Sequence, residues 1–418
     1  MAIATSSKDR LTQAQEAEPA RREQLLRAIV DEPSDASDDA ATREKETALL
    51  KLGELYRDQK NADSLSTVVR DARTLPIAKA RAAKLVQTLL GFFSVIPDGN
   101  ATQIAMTKEN ADWARSEKRI FLAQSLEIRL VSLMIESNSL RDALAMINSL
   151  LRELKRLDDK MILTEVHLLE SRVTHALANL PKAKAAQTSA RTAANAIYCP
   201  PLLQAQLDMQ SGVLLAEDKD YKTAFSYFFE ALEGFSAQDD PRAVLALKYM
   251  LLCKVMTNLP EDVEALVSSK LALAYAGRDV DAMKVVATAL KERSLAAFEA
   301  ALVAYKKELS DDPIIRNHLA ALYDTLLEQN LVRVIEPYSR VEIAYIAESV
   351  KQPTREVEAK LSQMILDKVF HGILDQGAGS LIVFDEPEDD ATYLSTLATL
   401  KSVSSTVDNL HARVRAMT

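Results

Sequence analysis

From Thr42 onward, apolar residues recur three and four positions apart over roughly 270 residues, which is the period of helices that bury one face. Leu126, Leu130, Leu133 and Met134 form one such series, and Leu144, Ile147, Leu151 and Leu154 the next. The polar breaks between them are regular. Asn61, Asn100, Asn138, Asn179 and Asn258 follow one another at 39, 38, 41 and 79 residues, and the turn Glu217-Asp218-Lys219-Asp220 divides the last gap. A period near forty predicts a solenoid of stacked helix pairs. After three of these turns the second helix aligns as Ala143, Ile147, Leu150, then Ala183, Gln187, Ala190, then Ala224, Phe228, Ala231. This small, large, small spacing is tetratricopeptide-like: the small residue lets a paired helix approach and the larger one fills the groove beside it. One instance alone would be ordinary core packing; recurrence in phase argues for the array.

After Asp311-Asp312-Pro313 the pattern changes. A helix is predicted over 314–329, then a short β-branched strand from Leu331 to Ile335, then a helix from Val341 to Val350. Thr354 is the expected N-cap for a helix whose buried stripe is Val357, Leu361, Met364, Ile365 and Phe370. The apolar runs Gly372 to Gln376 and Leu381 to Asp385 flank Gly377-Ala378-Gly379-Ser380 and read as a hairpin. Helix, strand, helix, helix, hairpin is the order of a winged-helix module. The final helix carries Tyr393, Leu397, Leu400, Val403, Val407, Leu410, Val414 and Met417, spaced 4, 3, 3, 4, 3, 4 and 3. That alternation approaches a coiled-coil seam and needs a partner. The expected division is a polar, acidic segment over 1–40, a helical-repeat solenoid over 41–221, a module of last repeats and winged helix over 222–388 (the winged helix at 313–388), and a C-terminal helix over 389–418.

Composition agrees with a mainly α fold: of 418 residues only 5% are aromatic, nine are Gly and thirteen Pro, little material for a many-stranded β fold. The net charge of −9 opposes a protein whose task is neutralising phosphates. From Leu331 onward nine basic residues face thirteen acidic ones, and Thr354 to Phe370 carries no net charge, so the winged helix is expected to touch protein rather than nucleic acid. Cys199 and Cys253 form neither a disulfide framework nor a metal spacing, and no signal peptide or membrane-spanning run is legible. An intracellular, soluble chain follows as the expectation.

The polar residues offer no catalytic or metal-binding constellation. His167 and His175 lie eight apart without a zinc-site context, and Gly377-x-Gly379 lacks a third glycine and joins two strands. The pairs Asp158-Asp159, Asp239-Asp240, Asp311-Asp312 and Asp389-Asp390 sit beside helix ends or in loops, without neighbouring histidines. No enzyme activity, cofactor or metal site is expected.

A tetratricopeptide-like array running into a winged helix is the plan of the PCI domain, shared by subunits of the proteasome lid, the COP9 signalosome and a translation initiation factor. The chain resembles this family, and Ala193 to Pro201, Leu247 to Lys254, Leu326 to Pro337, Leu361 to Lys368 and Phe370 to Gln376 are similar to a PCI subunit of the lid of the 26S proteasome's 19S regulatory particle. The resemblance runs from about Leu49 to the C-terminus. It implies a non-catalytic scaffold of cytoplasm and nucleus, joining lid, ATPase base and 20S core in ubiquitin-dependent degradation. Its expected partners are neighbouring PCI subunits, a bundle of C-terminal helices, an ATPase subunit of the base and an α subunit of the core. A PCI subunit of the signalosome or of the initiation factor, or a PCI protein that binds nucleic acid, is the alternative. Carried onto this sequence, the lateral interface falls on Leu331, Val332, Val334, Ile335, Ile373, Leu374, Leu381, Ile382 and Val383. The bundle contact falls on Leu397, Leu400, Val403, Val407, Leu410 and Val414.

Overall fold

The computed structural model describes residues 19–31, 39–74, 79–96, 100–310, 312–384 and 391–417; the acidic loop expected between Asp31 and Asp39 and the acidic tether Glu386 to Asp390 fall outside them. Two compact units divide the chain at Met250 and Leu251. The first is built from α1 (Pro19–Asp31), α2 (Asp39–Asp58), α3 (Ala62–Thr74), α4 (Lys79–Phe92), α5 (Asn100–Ser116), α6 (Ile120–Glu136), α7 (Leu140–Leu157), α8 (Lys160–Ala176), α9 (Leu180–Asn195), α10 (Pro201–Glu217), α11 (Tyr221–Ser236) and the start of α12 (Ala243–Met256).

The helix ends explain the period. Lys118, Asn138, Asp158, Ala178, Lys219, Asp239 and Asn258 all adopt left-handed φ between 51° and 67°, one per helix end and about twenty residues apart, with the gap from 178 to 219 spanning two helices. Most of these turns share one set of backbone bonds. At Asn138 they run from Ser137 N–H to Leu133 O, Asn138 N–H to Ile135 O and Ser139 N–H to Met134 O, and the equivalent set recurs at Lys60, Lys118, Ala178, Lys219 and Asn258. Each set satisfies carbonyls that the ending helix would leave bare. At Asp159, Asn179 and Asp220 the next helix starts on a polar cap, as where the Asn179 side chain accepts from Lys182 N–H at 3.3 Å.

The aligned second-helix residues are the packing contacts the sequence predicts. Ala143, Ala183 and Ala224 are fully buried, with Ile147, Leu150, Ala190, Phe228 and Ala231 beside them in the core. Phe228 rests on α10 at Gly212, where an added Cβ would lie 2.7 Å from its ring, and its ring centroid is 5.3 Å from that of Tyr249. Gly212 therefore has a packing reason. Gln187 takes the large position of its repeat by hydrogen bonding: its amide donates to the Leu207 carbonyl at 2.7 Å and to Ser211 Oγ at 2.9 Å.

The second unit continues with α13 (Pro260–Val267), α14 (Lys270–Ala274), α15 (Arg278–Lys291), α16 (Leu295–Ala304), α17 (Lys306–Ser310) and α18 (Pro313–Ile335). Then follow β1 (Arg340–Glu342), α19 (Ile343–Val350), α20 (Thr354–Leu366), the hairpin β2 (His371–Asp375) and β3 (Ser380–Phe384), and α21 (Ala391–Met417). The winged helix is present, with one correction. Leu331 to Ile335 is the last turn of α18, because Leu327, Leu331 and Ile335 extend a buried stripe and that packing overrides the β preference of Val332 and Val334. The third strand is β1, where Val341 pairs with Leu381.

Candidate functional site

The three strands form an antiparallel sheet in the order β1, β3, β2, so β2 has one unpaired edge. Its geometry follows from two bonds beside β1: Ile343 N–H donates to Gly379 O and Val383 N–H to Ser339 O, each at 2.9 Å. Residues 379, 381 and 383 thus turn their backbone groups toward β1, and 380, 382 and 384 turn theirs toward β2. By the register, His371, Ile373 and Asp375 answer them. The N–H and C=O groups of Gly372 and Leu374 consequently point outward, an edge open to another strand. The turn is held by Asp375, whose Oδ1 accepts from Gly377 N–H at 3.0 Å and Ala378 N–H at 3.1 Å, while Gly379 takes φ +60°.

The side chains divide by face. Leu331, Ile335 and Leu381 are core residues of the winged helix, packed with Val341, Ile346, Val357, Leu361 and Met364, so their side chains are closed to a partner. Val332, Val334, Leu374 and Val383 are half-buried against that core, Ile382 is half-buried, and Ile373 is 55% exposed. Sequence reasoning missed Leu366, Val369 and Phe384, which are also exposed. Phe384 pairs with His371 on the sheet face that Ile373 shares, a placement set by register and illegible without it.

The C-terminal helix is different in kind. Every residue from 392 to 417 is exposed, including the whole stripe of Leu397, Leu400, Val403, Val407, Leu410 and Val414. Several of its hydroxyls turn inward on the helix's own backbone, as with Thr399 to Ser395 O, Ser402 to Ala398 O and Thr406 to Ser402 O, and the apolar stripe stands exposed beside them.

Several of the titratable groups singled out from sequence make structural contacts, whereas Asp311, Asp389 and Asp390 lie outside the described residues. His167 Nδ1 lies 3.1 Å from Glu170 and His175 Nε2 3.0 Å from Glu217. The first contact holds the Glu170 carboxyl below its usual range. Asp159 and Asp312 cap helices, and Asp240 grips Arg242 through both oxygens, which depresses its pKa. Burial pushes the Cys253 thiol up to about 12 and raises that of Cys199. Among the described residues, no three His, Cys, Asp or Glu side chains converge to hold a metal, and no helix is long and apolar enough to cross a membrane.

Comparison with known proteins gives this arrangement its family. The family model described as the 26S proteasome regulatory subunit RPN6 N-terminal domain matches residues 5–137, and that of the PCI domain matches residues 302–385. The chain is 52% identical over 378 residues to the probable 26S proteasome regulatory subunit rpn6 of Schizosaccharomyces pombe, covering 90% of both chains. The chain belongs to the Rpn6 family. Other members similar to it are the 26S proteasome non-ATPase regulatory subunit 11 homolog of Arabidopsis thaliana, 51% identical with 93% of each chain covered, and the RPN6 subunit of Saccharomyces cerevisiae, 45% identical with 94% of each covered. In Rpn6-family terms, the open β2 edge lies within the PCI match and α21 lies beyond it.

Proposed function

We propose that the chain is a non-catalytic scaffold subunit of the 26S proteasome lid, in cytoplasm and nucleus, acting in ubiquitin-dependent protein degradation. The observation that carries this reading is the exposed apolar stripe of α21 in a chain of this family. A helix of this length is marginal alone in water, so burying the stripe against other subunits' helices is what stabilises it. Leu397, Leu400, Val403, Val407, Leu410 and Val414 make that contact. The lateral contact to a neighbouring PCI subunit uses the backbone edge at Gly372 and Leu374 with Ile373 beside it. The first helices of the solenoid reach an ATPase subunit of the base and an α subunit of the 20S core. The division into 1–40, 41–221, 222–388 and 389–418 is the corresponding proposal for its working parts.

The test is the double substitution Leu400→Asp with Leu410→Asp. Burying one Leu contributes about 1.5–3 kcal/mol, so lid incorporation weakens by about two to four orders of magnitude. Recovery of the other lid subunits with the purified mutant chain measures it, beside circular dichroism showing the fold intact. Undiminished recovery with an intact fold overturns the reading.

A further inference from the structure

Within the second unit, the loop between α15 and α16, the last turns of α18 and the end of α19 enclose a cleft of about 490 Å³. Arg293, Arg333 and Lys351 line it, and none of their side chains makes an ion pair or hydrogen bond among the described residues. Glu292 is the one acidic residue lining it. Three cations against one acid give this concavity a positive lining in a chain of net charge −9. Their placement explains how the fold tolerates them. Arg293 follows the end of α15, Arg333 lies in the last turn of α18, and Lys351 caps the end of α19, so each stands where a helix presents its carbonyls. Those partial charges offset repulsion between the cations without neutralising any of them. The other wall is the start of α16: Ser294 caps the Ala297 N–H, and the first-turn N–H groups of Leu295 and Ala296 belong to lining residues with no intrahelical acceptor. Half-buried Val334 and Val350 supply apolar surface between the charges.

We propose that this cleft docks an acidic peptide segment of another protein. Its carboxylates are taken by Arg293, Arg333 and Lys351, and an adjoining apolar side chain is set against Val334 and Val350. An open cleft of this size suits one or two side chains, whereas nucleic acid requires cations strung along a groove, and α20 beside it carries Arg355 and Lys360 against Glu356 and Glu358. The proposal goes beyond the assembly surfaces above and does not depend on them.

The probe is a short fluorescein-labelled peptide of alternating glutamate and leucine, titrated against the full chain by anisotropy, with its glutamine counterpart and a single-stranded DNA of equal charge as comparisons. Saturable binding of the glutamate peptide alone, weakening with salt, is expected. Arg293→Gln with Arg333→Gln should weaken it about tenfold, since each removes one charge-assisted contact. Arg316→Gln, an exposed cation on α18 outside the cleft, should leave it unchanged. Carbodiimide should join Lys351 to a peptide glutamate, located by mass spectrometry. Equal binding by the double variant, equal or tighter binding of the DNA, or cross-links elsewhere would overturn the proposal. So would a Lys351 link to this chain's own Glu386 or Glu388 that excess peptide cannot displace. Should the double variant unfold by circular dichroism, Lys351→Gln reads the same contact with a smaller loss, and a wild-type affinity there overturns it.

Discussion

Two apolar stripes of the same period meet opposite fates in this molecule. In α11, Ala224, Phe228 and Ala231 are sealed in the core, Phe228 against a position on α10 where only glycine leaves room for its ring. In α21, Leu397, Leu400, Val403 and Val407 recur at similar spacing and are at least 40% exposed. Periodicity therefore specifies that a face wants burial, and the neighbouring chain decides whether that burial is internal. Within the solenoid most helices end in the shared turn described above and pack against the helix that follows. Among the described residues, no other element covers the stripe of α21.

The contrast can be broken experimentally. Phe228→Ala should show the largest loss, about 3–5 kcal/mol of stability in urea unfolding, because the space over Gly212 and beside Tyr249 is left unfilled. Asn179→Ala should cost about 1 kcal/mol by removing the cap of α9, a change at a turn rather than a stripe. Leu400→Ala should change the stability of the free chain least, by no more than about 0.5 kcal/mol, as befits a residue touching solvent. A loss at Leu400 in the free chain comparable to that at Phe228 would mean that α21 is packed against its own chain and would erase the distinction.

The solenoid was legible in the sequence because each repeat repeats the same problem. Ala143, Ala183 and Ala224 announce close helix approach at matching phase, and all three are buried. The turns were legible only in part. Asn138 and Asn258 advertise a left-handed residue, but Lys118, Ala178 and Lys219 adopt the same conformation with no such signature, since the backbone bonds of the turn impose it. Leu331 to Ile335 misled for a related reason: its β-branched residues obey the local preference only until Leu331 and Ile335 find the winged-helix core. At the candidate site the stripe of α21 was plain from spacing. The open backbone of Gly372 and Leu374 and the exposure of Phe384 required the register of β3 against both neighbours, a long-range fact.

The bare stripe of α21 also bears on how much of this protein a cell can hold. A newly made copy displays a continuous run of aliphatic side chains of the sort that promotes clumping and draws quality-control machinery. If helices of other subunits cover the stripe as proposed above, covered molecules are withdrawn from that fate and surplus ones left to it, and the steady-state level of the chain should follow the number of helices available to receive it more than its rate of synthesis.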